Sequence, residues 1–418
     1  MFLIYFIALF VAPQLWLEPF VGIRTDFIIY PLWLSVLIIK GKLPDLFKLN
    51  SQDYVYILLI VWFSLSMALN TKNSMSHDFL INFIKWFFLY RMVAVSIDSF
   101  VKLKSVLNTL LFIISIIAIQ AIYHKYYSPD MMGWAGQSLG WVDSSVLRSG
   151  GTGRTQWVNI FDGPGVFCVM FTLALPFALR LYETQQGNRL IKLSGMLLVL
   201  LIVMAIWTTG SRGGFLATLS VFSFYLMTKM GISLVRITKI GLIAALLFIL
   251  APSHLTSIRD ENRSAQHRVD MWIEGIEMVQ YNPVFGIGKG NYSSYTGRLI
   301  AHNSAIEIMG ELGVIGLFFW LSLMFVSYKK IINFINFTDD VYHKNIMISL
   351  GLALLGYHVS SMFVTLEYET LYFLLGLIRS TDTYSGQKVE YTSNNIMLVG
   401  MSTIGFIVLI KLFVSIYY

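Results

Sequence analysis

The amino-acid sequence predicts an all-α fold: a polytopic integral membrane protein of about 12–13 transmembrane helices. Composition is the first reason, with hydrophobic residues at 56% and charged residues at only 13%. Soluble domains carry about 25% charged residues, and a mean hydropathy of +0.68 lies far from theirs. The second reason is pattern, since apolar runs recur along the whole chain and several reach the ~18–20 residues needed to cross a bilayer. The third is aromatic content, 15% with 22 Tyr and 10 Trp, which suits interfacial belts on both membrane faces.

Taken in order, the apolar runs fall at 2–20, 26–39, 54–69, 79–97, 105–123, 161–181, 190–208, 213–229, 236–251, 303–326, 345–363, 365–379 and 396–416. The second and twelfth are short enough to be half-helices or tilted pieces. The first lacks a basic leader and a small-residue cleavage site, so a retained span is expected there. Basic residues cluster at Lys40/Lys42/Lys48, Lys102/Lys104, Arg180/Arg189/Lys192, Lys229/Arg236/Lys239 and Lys329/Lys330/Lys344. An inside N-terminus puts all five clusters in the cytoplasm. The net charge of +7 is then a membrane-topology bias and not a nucleic-acid signal. With Cys168 alone in an apolar run, no intrachain disulfide is possible.

The chain reads as a single polytopic domain, 1–418, with no internal repeat. Two longer loops fall outside, 124–160 and 252–301. In the second, Val269, Trp272, Ile273, Ile276 and Val279 recur at helical spacing, predicting a surface helix over 264–280 that Asn282-Pro283 ends. This loop carries Arg259, Arg263, Arg268, Lys289 and Arg298 against Asp260, Glu261, Asp270, Glu274 and Glu277, so its net charge is near zero, yet so many outward arginines run against the positive-inside trend.

Two constellations at the outer boundary carry chemistry. In Thr208-Thr209-Gly210-Ser211-Arg212-Gly213-Gly214 the glycines permit tight turns, and free N–H groups at the next helix start favour an anion. Arg212 adds a planar fork suited to phosphate oxygens, set against the plainer role of a snorkelling helix-end arginine. His302-Asn303 opens an apolar helix, followed by Gly313-Val314-Ile315-Gly316, whose glycines would allow close helix packing. A histidine here can exchange a proton near neutral pH, or simply cap the helix. Glu307 and Glu311 lie one and two turns deeper, where a salt bridge to an arginine competes with a relay role. Arg268, taken alone, reads as the solvated face of an amphipathic helix. Phe285-Gly286-Ile287-Gly288-Lys289-Gly290 lacks the strand and Lys-Ser/Thr of a nucleotide loop, so it reads as a tight turn, with Lys289 a minor anion-binding candidate. The external loops hold no Asp-x-Asp pair and no His/Cys ligand cluster.

The chain resembles the O-antigen ligase and polymerase superfamily, polytopic bacterial enzymes acting on glycans carried by undecaprenyl diphosphate. The resemblance rests on His302-Asn303-x9-Gly313-x2-Gly316, on Thr209-Gly210-Ser211-Arg212-Gly213, and on Arg268-x3-Trp272 leading to Asn282-Pro283-x2-Gly286-x-Gly288. Arg154-Thr155-Gln156-Trp157 is similar to a weaker element, so the likeness covers 154–316. It implies a GT-C-like, metal-independent, inverting glycosyltransferase of the inner membrane, without cofactor, whose site faces the periplasm. His302 would be the general base, and Arg212 and Arg268, with Lys289 in a lesser part, would hold the diphosphate. Arg154, Asn303, Glu307 and Glu311 are secondary candidates. The implied partners are an undecaprenyl-diphosphate-linked glycan as donor, lipid A–core as the favoured acceptor, and membrane lipids; no nucleic acid is expected. Polymerase and protein O-oligosaccharyltransferase activities stay open, as does a transporter or flippase using the same arginines without bond chemistry.

Overall fold

The computed structural model describes residues 1–70, 75–127, 154–161, 163–183, 189–232, 236, 263–297, 300–385 and 389–417. Regular structure among them is helical throughout. The helices are α1 (Phe2–Phe6), α2 (Asp26–Ile39), α3 (Ser51–Asn70), α4 (Met75–Ser96), α5 (Phe100–Tyr126), α6 (Pro164–Glu183) and α7 (Arg189–Thr209). They continue as α8 (Arg212–Lys229), α9 (Arg263–Tyr281), α10 (Tyr292–Thr296), α11 (Ser304–Phe337), α12 (Val341–Ser361), α13 (Glu369–Ser385) and α14 (Ser393–Tyr417).

Twelve of the thirteen expected apolar segments hold a helix; the remaining one, 236–251, lies outside the described residues save Arg236. Among the described residues seven helices, α3 to α7, α11 and α14, are long and apolar enough to cross a membrane, and Phe2–Val11 and Asp26–Ile39 are shorter apolar helices. The protein is therefore an all-α polytopic membrane protein, though fewer of its helices qualify as spans by themselves than the 12–13 expected. The reason lies in polar content. Helix α13 is short and carries Glu369, Arg379 and Asp382, and α12 carries His343, Lys344 and His358, which neighbouring helices shelter.

The first expected span, 2–20, is shorter and broken. Helix α1 passes into a π-helical turn, Ile7–Val11, and stops before Pro13, which has no N–H to continue it. The carbonyls this releases are taken up by side chains: Gln14 donates to Ala8 O (2.9 Å), Asn159 to Leu9 O (3.2 Å), Trp157 to Phe10 O (2.8 Å) and Trp16 to Val11 O (2.8 Å). Nothing in an apolar phase would otherwise satisfy them. Trp157 and Asn159 thereby moor the 154–161 segment to the first helix.

Helix α6 is the most enclosed, packed among α5, α7, α8 and α12 and apolar on all sides. Helix α3 packs on α11, and α4 on α13. At one end these four are tied by buried ions. Asp53 of α3 accepts from Tyr90 (2.8 Å) and Arg91 (2.9 Å) of α4 and from Arg379 of α13 (3.0 Å), while Lys330 of α11 pairs with Asp382 of α13 (2.8 Å). Lys330, expected in a solvated loop cluster, is instead buried. The candidate functional residues lie at the opposite end of the same helices.

Candidate functional site

The turn between α7 and α8 forms as its residues dictate. Gly210, at φ +57°, ends α7 in the left-handed region, and the Ser211 side chain caps α8 by accepting from Gly214 N (3.1 Å). Arg212 is thus the first residue of α8, exposed at its N-terminus. The preceding strand of chain lies alongside: Thr155 N donates to Thr208 O (3.2 Å), and the two threonine hydroxyls are 2.9 Å apart. That pairing brings Arg154 over Gly210, with its Nε donating to Thr209 O (3.1 Å).

Arg268 projects from α9, half-buried. Its pKa is lowered by burial and by the nearby charges of Arg154 and Arg212. The pKa of Arg154 is lowered in the same way, by desolvation and by Arg212. Among the described residues, no carboxylate pairs with any of these three guanidiniums. Three neighbouring arginines with no carboxylate partner among the described residues could take an anion of high charge, which would relieve their repulsion and accept their forked N–H groups.

His302 sits beside this group, in the loop just before α11. It holds φ +50°, a region few non-glycine residues adopt. Burial, and then the charge of Arg268, push its imidazole below the ordinary histidine value of 6.5. The neutral ring, able to take a proton, is favoured. Its neighbour Asn303 is the cap of α11, accepting from Ala305 N (3.1 Å) and Ile306 N (3.2 Å) while donating to Met362 O (3.4 Å). Its side chain is engaged in shaping the loop that carries His302.

The remaining candidates form a second centre. Lys289 is buried among three carboxylates, paired with Glu311, with Glu367 (2.7 Å) and with Glu307 (3.5 Å). Glu307 also accepts from Thr365 (2.6 Å), and Glu311 from the amides of Gly290 (2.9 Å) and Tyr292 (3.0 Å). Lys289, expected as a minor anion-binding candidate, is thus engaged with these three carboxylates and stands apart from the arginine group. The partner expected for Glu307 and Glu311 was an arginine; the structure supplies a lysine. Glu367 was not foreseen, although a carboxylate inside the apolar run Val364-Thr365-Leu366-Glu367 needs a partner and was the available signal.

The glycine motifs meet each other here. Gly313, at φ +72° and ψ −174°, breaks α11, freeing the carbonyls before it. The 283–288 loop enters the break: Ile287 N donates to Gly310 O (3.1 Å), Gly288 N to Glu311 O (2.9 Å), and Val314 N to Pro283 O (2.9 Å). The Trp62 indole takes Leu312 O (2.8 Å) and stacks on Phe285 at 4.6 Å. A side chain at Gly313 would run into the Val284 carbonyl, and one at Gly286 into Glu311. So Gly313 serves a backbone junction, where close packing between helices was expected.

Three arginines and a histidine of lowered pKa lie near one another at one end of a polytopic helical bundle. The sequence comparison is more particular. Residues 197–321 match the family model described as O-antigen ligase, a stretch that includes Arg212, Arg268, His302 and both glycine motifs. That match bears out the superfamily the motifs pointed to. The chain is a multi-pass helical membrane protein, and its likeness to O-antigen ligases over that stretch supports a function of the lipid-linked glycan transferase type. No curated protein matches the chain.

Proposed function

We propose that the protein transfers a glycan from an undecaprenyl-diphosphate carrier to an acceptor hydroxyl on the periplasmic face of the inner membrane. The observation that carries this reading is the company His302 keeps: Arg268 beside it, Arg154 and Arg212 beside Arg268, and no described carboxylate to neutralise them. His302 takes the proton of the acceptor hydroxyl as its oxygen attacks the anomeric carbon. The bond from that carbon to the diphosphate breaks with its electron pair, and the arginines stabilise the charge that grows on the departing oxygens. One direct displacement inverts the anomeric centre. Three guanidiniums can do this without a divalent cation, so transfer should not depend on metal.

Among acceptors, lipid A–core fits best with a chain whose expected outer loop, 252–301, is too small for a separate protein-binding domain. Purified protein in liposomes, given an undecaprenyl-diphosphate-linked oligosaccharide, tests the reading. Offered lipid A–core, a second lipid-linked repeat and a serine peptide in turn, it should glycosylate lipid A–core. Movement of intact donor across the bilayer with no new glycosidic bond would make it a flippase.

A further inference from the structure

Arg268 and Trp272 stand one helical turn apart on α9, so they share a face. The Trp272 indole N–H donates to the carbonyl of Ala301 (3.0 Å), the peptide that leads into His302. The left-handed conformation of His302 persists only where surrounding structure imposes it. On its C-terminal side Asn303 does so, through the α11 cap and the bond to Met362 O. On its N-terminal side the bond from Trp272 does so.

Helix α9 is itself fixed to α11. The Tyr292 hydroxyl donates to Met271 O, next to Trp272, and the Tyr292 amide donates to Glu311 of α11 (3.0 Å). Gly275 leaves room for this approach, since a Cβ there would lie 2.6 Å from both the Tyr292 hydroxyl and Ile306. Contacts thus run from α11 through Tyr292 to α9, and return through Trp272 to His302. The Phe413 ring of α14 lies 5.7 Å from Trp272 and closes its outer side.

We infer that Trp272 is a positioning residue, whose indole N–H holds the Ala301–His302 peptide against α9 and so keeps the imidazole beside the Arg268 guanidinium. This rests on the reading of His302 as the base. The charged group facing His302 from α9 is Arg268, with Arg154 of the 154–161 segment and Arg212 of α8 facing Arg268 in turn. On the α11 side the carboxylates Glu307 and Glu311 are engaged with Lys289. Freed from Trp272, the imidazole would swing toward water, losing the burial that chiefly lowers its pKa and moving away from the charge of Arg268, and its pKa would rise.

Trp272→Phe keeps a ring for Phe413 and removes the donor. The titration of His302 can be followed by NMR of the histidine ring carbons in the full-length protein, identified by its loss in His302→Asn. In the native protein it should fall below 6.5, and in Trp272→Phe it should move up toward that value. The acid limb of glycan transfer should shift with it, and kcat should fall roughly 10–100-fold while KM for donor changes little. A loss of transfer with the His302 titration unmoved would reduce Trp272 to packing and overturn the inference, as would no change in either. Should Trp272→Phe fail to fold, Tyr292→Phe is read by the same criterion, an upward shift supporting the inference and none overturning it. Because the titration needs no substrate, a native protein that transfers no glycan would sink the base reading while leaving the positioning test intact.

Discussion

In the proposed site each arginine would do something a lysine cannot. A guanidinium stays charged when crowded and offers a planar fork to phosphate oxygens, whereas an ammonium offers a point charge. Arg212→Ala and Arg268→Ala should each depress transfer severely, Lys should rescue poorly, and Arg154→Ala should resemble them; assays at saturating acceptor check this. Equal tolerance of all three would return them to ordinary helix-end and surface roles. For His302, removal of one general base predicts a loss of about 10²–10⁴-fold with donor binding preserved. The sign of the pH dependence follows from its lowered pKa. The base works neutral, so transfer should hold as pH falls through 6.5 and decline only below it, as the ring becomes protonated. Arg212 and His302 were legible because they stand in motifs at helix boundaries, whereas Arg268, inside α9 and alone readable as a solvated face, was singled out only by the resemblance to a family. The fate of Lys289 was not legible, since nothing local reveals that Glu307, Glu311 and Glu367, brought together by α11 and the 362–368 loop, would enclose it.

Single helices were legible for a simple reason: in a bilayer every backbone polar group must be satisfied within its own segment, so hydropathy alone fixes their extent. Helix α2 spans 26–39 as expected; α9, legible instead from the helical spacing of its apolar residues, extends only one residue beyond each end of the expected 264–280. What hydropathy cannot show is a helix that breaks and borrows partners. Both exceptions, Ile7–Val11 and Gly313, depend on distant side chains or loops to take up freed carbonyls. Gly313→Ala should therefore be costly, adding about 1–3 kcal/mol of backbone strain to its clash with the 283–288 loop. Gly400→Ala, in α14 with no atom near enough to meet a new Cβ, is the matched control and should melt at or above the native temperature. Thermal unfolding in detergent compares them; a Gly313→Ala protein as stable as the control would mean the break is not imposed by the glycine.

At the scale of the whole molecule, function depends on which end faces the periplasm. The buried Asp53–Arg91–Arg379 centre marks one end and the arginine–histidine group the other, and Lys48, whose carbonyl accepts from Arg91 and Arg379, and Lys330, paired with Asp382, accompany the former. On a Cys168→Ala background, Ser294→Cys should react with a membrane-impermeant thiol reagent applied from outside, and Asp339→Cys should not. The reverse pattern would put the arginines in the cytoplasm. Chelation with EDTA should leave transfer intact; a loss restored by Mg²⁺ would mean that an ion shares the diphosphate with the arginines. The central claim is that His302 and the arginines together drive displacement of undecaprenyl diphosphate. Its most direct test is product analysis from proteoliposomes holding native protein or His302→Asn, at matched protein levels. Native protein should yield a new glycosidic bond of inverted configuration with one undecaprenyl diphosphate released per transfer, and His302→Asn should bind donor but form almost none. Near-native transfer by His302→Asn, or retained configuration in the native product, would contradict the claim.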